Sequence, residues 1–173
     1  MDRPDRKRSR LENYDYSSNG LYFITICTKD RIKCLSEIIS VGDGVLDVPK
    51  YKLTEYGRIL NDQIIEINSV YKNLKILKYV IMPDHLHMII YLFDDKKVFG
   101  GTSRTPSPTN AVIPSLISTL KRFVNKKTGF NIWQRSFHDH IIRNEAEFIE
   151  ICTYIDNNPI NWVNDIYNQN HWR

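Results

Sequence analysis

The chain has 173 residues, of which 42% are hydrophobic and 25% are charged, and this is the composition of a globular protein with one buried core. No stretch approaches the ~18 consecutive apolar residues of a membrane span, and no apolar segment behind the N-terminus has the form of a signal peptide. The net charge of +4 favours an anionic partner. Three cysteines without a C-x-x-C spacing predict free thiols. We therefore expect a cytoplasmic protein that has no membrane partner.

The first 20 residues form a predicted basic arm. They are polar and carry five basic side chains, namely Arg3, Arg6, Lys7, Arg8 and Arg10. Such an arm is either a solvated tail or an electrostatic tether to phosphate groups. We place one domain at residues 21–165 and a short tail at 166–173.

The first half of the domain alternates between strands and a helix. Residues 21–28 are rich in β-branched and aromatic side chains, which predicts a strand. Glycine and proline predict a loop over residues 29–52, with room for a short hairpin around 42–44. From Leu53 the apolar residues recur at steps of three and four, which is typical of an amphipathic helix, and a second strand follows at 74–82.

A histidine-bearing strand follows the Pro83–Asp84 turn and completes a hairpin. Alternation places His85 and His87 on one face, while the other face is wholly apolar, with Leu86, Met88, Ile90 and Leu92. Two imidazoles two positions apart on a strand can reach one metal ion. The alternative is that one histidine packs in the core and the other is exposed.

The second half begins with a linker. Residues 94–110 have the composition of a flexible connection, and an amphipathic helix then runs from Ile113 to near Gly129. Residues 133–143 form a short extended segment with a second His-x-His, at His138 and His140.

A last helix is predicted over residues 145–158. Asn144 and Glu147 form a variant capping box at its start, and Pro159 ends it. With this helix as an addition, the order of elements is βαββαβ, so we predict an α+β fold of the ferredoxin-like or RRM-like type.

The side chain of Tyr154 lies off the apolar stripe of that helix. It is about 120° around the axis from Phe148 at the centre of the stripe, and Asn158 follows one turn later. Either the phenol simply flanks the core with its hydroxyl in water, or it serves a functional site together with the carboxamide.

Four segments in series resemble a known family. Tyr-Ser and then Gly-Leu-Tyr-Phe-Ile-Thr-Ile-Cys-Thr lie within residues 16–28, and Val-Ile-Met-Pro-Asp-His-Leu-His spans 80–87. Trp-Gln-Arg-Ser-Phe-His-Asp-His-Ile-Ile-Arg-Asn spans 133–144, and Tyr-Ile-Asp-Asn-Asn-Pro spans 154–159. Over roughly residues 8–165 the chain resembles the single-tyrosine HUH transposases, and among them the REP-associated tyrosine transposases. The resemblance implies a ferredoxin-like domain that cuts and rejoins single-stranded DNA next to a hairpin.

The resemblance also implies a set of site residues. His85 and His87 match the histidine pair that holds a divalent metal, and Tyr154 matches the nucleophile. Asn158 stands where related enzymes place a third polar ligand, commonly Gln, while His140 matches a histidine to which we assign no role. Two imidazoles and an amide oxygen leave coordination positions open, which suits Mg²⁺ or Mn²⁺.

Basic and aromatic residues are candidates for contact with DNA, because single strands are held by cationic tracks and by stacking. The cationic candidates are Arg8, Arg10, Lys121, Arg122, Lys126, Arg135 and Arg143, and the aromatic ones are Tyr14, Tyr16 and Trp133. The partner is then single-stranded DNA with a hairpin, and the protein is either a monomer or a homodimer.

Three other functions are compatible with the residues. The same order of elements occurs in RRM modules that bind nucleic acid without catalysis, although no RNP-type pattern is found on the strands. A metal hydrolase could use four histidines, namely His85, His87, His138 and His140. A decayed transposase could still bind DNA without moving it.

Overall fold

The computed structural model describes residues 18–39, 50–93 and 112–169. Several predicted features therefore lie outside the described residues: the basic arm up to residue 17, the hairpin turn at 42–44, the linker at 94–110 and the end of the tail. In chain order the described elements are β1 (Gly20–Cys27), β2 (Ser36–Ile39), β3 (Lys50–Leu53), α1 (Glu55–Val70), β4 (Leu74–Ile81), β5 (His85–Leu92), α2 (Val112–Thr128), β6 (His138–Ile142) and α3 (Glu145–Gln169).

Four of the strands form one antiparallel sheet. Its order is β4-β5-β1-β6, so β5 and β1 lie at the centre. The two central strands pair along their whole length, from Gly20 opposite Leu92 to Cys27 opposite His85. This is the strand order of a ferredoxin-like sandwich, and the predicted α+β fold is confirmed.

Each face of the sheet has its own apolar cluster. The larger cluster joins the sheet to α1 and α2, and it contains the predicted core face of β5, from Leu86 to Leu92 at every second position. The smaller cluster lies on the opposite face, where α3 contributes Ile155 against Val80 and Ile89. Because both faces of β5 are covered, the histidines lie beneath a helix and not at an open surface. Within the described ranges no helix has the length and hydrophobicity needed to cross a bilayer.

The prediction of a loop over residues 29–52 was wrong in part, because this stretch contains two short strands. β2 and β3 pair antiparallel, with Ser36 opposite Leu53, so the hairpin that was allowed around 42–44 has its two strands on either side of that position. Leu53 therefore ends a strand, and α1 begins two residues later behind Thr54, whose hydroxyl accepts a hydrogen bond from the Gly57 N–H at 3.2 Å. Strands of four residues carry too little alternation to be recognised, and here tertiary contacts hold them: the Ser36 hydroxyl donates to the Ile81 carbonyl at 2.8 Å.

The predicted end of the last helix at residue 158 was also wrong, because α3 continues through Pro159 to Gln169. A proline inside a helix removes one backbone hydrogen bond and costs about 3 kcal/mol. Burial of Pro159 and packing of Trp162 against the smaller cluster offset that cost. The helix is consequently long enough to bring Trp162 to the histidines.

We expect Gly57→Ala to lower the free energy of unfolding by about 3 kcal/mol. A Cβ added at Gly57 would lie 1.9 Å from the Leu35 carbonyl oxygen, so α1 would have to move away from the chain that leads into β2. Urea denaturation of wild type and variant measures the effect.

Gly129→Ala is the matched control. Gly129 follows α2 with a φ of 84° and has open space around it, so alanine there costs about 1 kcal/mol of backbone strain only. A Gly57→Ala variant more stable than wild type, as helix propensity alone would give, would contradict the close approach.

Candidate active site

Neighbouring side chains orient both histidines of β5. His85 Nδ1 lies 2.5 Å from Asp84 Oδ1, and His87 Nδ1 lies 2.8 Å from Thr25 Oγ1. The two rings are 4.5 Å apart between centroids, and the residues are only 8% and 6% exposed. With both Nδ1 atoms engaged, each imidazole has its Nε2 atom left for another partner.

The hydrogen-bond partners of the Nδ1 atoms influence which ring nitrogen of each histidine carries a proton. A carboxylate only accepts hydrogen bonds, so the contact with Asp84 places a proton on Nδ1 of His85. A hydroxyl can accept as well as donate, so Thr25 is able to hold His87 in the same tautomer. Such outer partners fix the orientation of histidine ligands at metal sites.

Burial keeps His87 neutral. Loss of solvation, followed by the nearby charges of His85 and Arg31, lowers the pKa of His87 to about 3. At neutral pH the ring is therefore uncharged, and neutral imidazole is the form that binds metal ions.

Tyr154 of α3 lies next to this histidine. Its hydroxyl oxygen is 3.4 Å from His87 Nε2, and its ring meets the His87 ring edge-on at 5.3 Å between centroids. The residue is 45% exposed, so the phenol is open to solvent on one side. Asn158, one turn further along the helix, is buried.

Phe23 links the phenol to the histidine and was missed by the sequence analysis. Its ring stacks on that of His87 at 5.2 Å and meets Tyr154 edge-on at 6.0 Å. The alternation of β1 was a usable signal. Because the residues of β1 on the core face are Tyr22, Ile24 and Ile26, Phe23 and Thr25 must share the face of the histidines.

A second group of missed residues lies beside His85. Arg31 contacts Asp84 at 3.4 Å, and the Trp162 ring lies 5.9 Å from that of His85. Lys33 Nζ is 5.5 Å from the centre of the Trp162 ring. The sequence could not place Trp162 here, because Pro159 was predicted to end the helix before it.

The second histidine pair does not join the first. His140 Nε2 lies 2.5 Å from Glu147 Oε1. Glu147 also closes the predicted capping box, because its N–H donates to Asn144 Oδ1 at 2.9 Å and its carboxylate accepts from the Arg143 N–H at 2.7 Å. That backbone hydrogen bond, and then His140, lowers the pKa of Glu147. Within the described part of the chain no three His, Cys, Asp or Glu side chains could share a metal, so the four-histidine site is not formed.

The cationic candidates divide into two groups. The Lys121 ammonium donates to the carbonyls of Gln134 and Ser136 at 2.8 and 2.9 Å, and burial lowers the pKa of Lys121 to about 8. The exposed candidates are Arg122, Lys126, Arg135 and Arg143. Trp133 is buried in the larger cluster and offers no stacking surface, while Arg8, Arg10, Tyr14 and Tyr16 lie outside the described residues.

The fold and this site define a class: a ferredoxin-like domain with a His-x-His strand facing a tyrosine on an added helix. No known family model matches the chain. An uncharacterized protein of Haemophilus influenzae is 32% identical, over 92% of this chain and 91% of its own length. The REP-associated tyrosine transposase of Escherichia coli is 23% identical, over 87% and 74% of the two chains.

A solved structure has the same fold. It is that of a REP-associated tyrosine transposase bound to a REP hairpin, with a TM-score of 0.59 and 23% identity, and the match covers 89% of this chain and 74% of that one. The predicted resemblance to the REP-associated tyrosine transposases is confirmed in sequence and in fold.

The depressed pKa of His87 predicts acid sensitivity of the metal-free protein. The unfolded chain takes up a proton on this residue near pH 6.5 and the folded chain only near pH 3, so its contribution to stability is complete above pH 6.5 and is lost as the pH falls towards 3. Between pH 6.5 and 5 the loss is about 2 kcal/mol.

Urea denaturation in EDTA at several pH values measures this loss. We expect His87→Gln to remove it and His138→Gln, at an exposed position, to retain it. If the free energy of unfolding depended on pH equally in the two variants, the loss of stability would not come from His87.

Proposed function

We propose that this protein is a metal-dependent single-stranded DNA endonuclease and strand transferase, in which Tyr154 forms a 5′-phosphotyrosine bond at sites next to DNA hairpins. The observation that carries the proposal is the 3.4 Å approach of the Tyr154 hydroxyl to His87 Nε2. The phenol and the imidazole belong to one chain, so a single protomer contains both parts. The hairpin-bound relative supports a hairpin substrate.

The residues fit a divalent metal. His87 presents a neutral imidazole, the rings of both His85 and His87 are oriented by hydrogen bonds, and Asn158 is the proposed third ligand. Mg²⁺ or Mn²⁺ held there would polarise the phosphate oxygens and neutralise the charge that builds up on them. Asp84 and Thr25 would keep the imidazoles aimed at the ion without touching it.

His87 suits the role of ligand and not that of base. A phenol loses its proton with a pKa near 10 in water, whereas the pKa of His87 is about 3. This ring is therefore a poor proton acceptor for a phenol. Hydroxide or a buffer base, reaching Tyr154 from its exposed side, takes the proton.

The proposed reaction exchanges one phosphate ester for another. The Tyr154 oxygen, having lost its proton, attacks the phosphorus, and the bond to the 3′-oxygen of the preceding nucleotide breaks. That oxygen takes up a proton and leaves as a free 3′-hydroxyl, while the 5′-phosphate stays on the tyrosine. A 3′-hydroxyl of another strand end later reverses the exchange, because the phosphotyrosine conserves the energy of the original bond.

We expect wild-type protein, incubated with Mg²⁺ and labelled single strands bearing a hairpin, to form a covalent adduct that resists denaturing electrophoresis. Tyr154→Phe should form none, because it lacks the oxygen that bonds to phosphorus, and EDTA should abolish the wild-type adduct. Tyr91→Phe is the control, since Tyr91 is similarly exposed on β5 but outside the site. Cleavage that persists in Tyr154→Phe would contradict the proposal. Binding of the strands by wild-type protein without any adduct would contradict it as well.

We expect Asp84→Asn to weaken Mn²⁺ binding about tenfold to a hundredfold, because His85 loses the carboxylate that fixes its tautomer. Titration calorimetry of the purified protein measures the affinity. Asp156→Asn is the matched control, because this exposed carboxylate of α3 pairs with Lys78 of β4 and not with a histidine. Equal Mn²⁺ affinities of the two variants would show that Asp84 does not position the ligand.

A further inference from the structure

An open groove with a cavity volume of about 580 Å³ lies between α2 and residues 131–135. Its size is within the range of about 300–1,000 Å³ that is typical of small-ligand sites. The described residues that line it include no carboxylate and are rich in hydrogen-bond donors, among them Lys121, Arg122, Trp133, Gln134 and Arg135. A donor-rich, cationic lining favours a ligand that is anionic and rich in acceptors.

The indole N–H of Trp133, a residue that lines the groove, is a second observation that favours an acceptor-bearing ligand. The residue is 2% exposed, and its Nε1 atom has no acceptor among the described residues. The backbone N–H of the same residue is satisfied by Asn131 Oδ1 at 3.1 Å. A buried donor without a partner costs about 1–3 kcal/mol, and an acceptor on a bound molecule would remove that cost.

The wall of the groove is fixed to the end of the sheet that carries His85. Trp133 forms a β-bridge with Thr28, and the Gln134 N–H donates to the Cys27 carbonyl at 3.0 Å. Cys27 in turn pairs with His85 across the two central strands. Two strand spacings, about 10 Å, therefore separate the backbone of this wall from that of the histidine strand.

We propose that this groove binds one unpaired nucleotide of the strand that is cut, with its phosphate on Arg122 and Arg135 and an acceptor atom facing Trp133. The inference rests on the proposed function and adds a second contact point on the substrate. Arginine pairs with phosphate through two parallel hydrogen bonds, and the side-chain amide of Gln134 can pair with the edge of a base. The strand then reaches the histidine pair around one edge of the sheet within a few nucleotides.

An abasic scan tests the proposal. The protein carries Tyr154→Phe, so that binding is measured without cleavage, and the probes are hairpin-bearing single strands in which each unpaired nucleotide in turn lacks its base. We expect one position at which loss of the base weakens binding about tenfold. A uniform response at all positions would overturn the proposal.

A second experiment replaces the two arginines of the groove and measures binding of the same strands. In Arg122→Gln/Arg135→Gln we expect weaker binding, a slope of log K against log salt that is smaller by about 0.7 because one phosphate contact is lost, and no sensitivity at the abasic position. Lys127→Gln is the control, because it removes an exposed charge from α2 outside the groove. This variant should keep the slope of log K against log salt that the parent protein has. A double variant that matches this control would overturn the proposal.

The two proposals fail in different ways. If the parent protein binds these strands and wild type forms the adduct, but the scan and the arginine variants show no effect, only the groove is refuted. If no strand is bound and no adduct forms, the proposed function is refuted, and the nucleotide site with it.

Discussion

The register between β1 and β5 is the constraint on which the rest of the site depends. It sets Thr25 opposite His87, so that the hydroxyl meets Nδ1, and it places Phe23 where it can stack on the same ring. A slip of one residue would turn both histidines of β5 into the larger apolar cluster. The continuous ladder from Gly20 to Cys27 and the apolar residues on the opposite face hold this register, so the core of the protein is also what aims the site.

The third helix shows how packing overrides a local rule. Pro159 should end α3, yet the helix continues and brings the Trp162 ring next to that of His85, while Tyr154 lies against His87. Tyr154 and Trp162 both belong to α3, and their rings enclose the pair of histidines. The same helix therefore supplies the phenol and shields the imidazoles. This enclosure removes solvent from His87, and the loss of solvation is what keeps its ring neutral.

Strong periodic signals made much of the fold predictable. The histidine hairpin, the amphipathic helices and the capping box at Asn144 are local patterns, and the structure contains each of them. The glycines at 42 and 44 allowed a hairpin there, but the bounds of β2 and β3 were not predictable, because four-residue strands are held by contacts such as that of Ser36 with Ile81. The approach of Tyr154 to His87 depends on how α3 lies across the sheet, and no periodicity in the sequence specifies that position.

The most direct test of the central claim is the position of a bound metal. Anomalous diffraction from crystals of the protein grown with Mn²⁺ would locate the ion without reference to any assay of cleavage. The account predicts one peak within coordination distance of Nε2 of both His85 and His87, on the side of the Tyr154 hydroxyl. A peak at His138 or His140, or one coordinated through the Nδ1 atoms after loss of the Asp84 and Thr25 contacts, would contradict it.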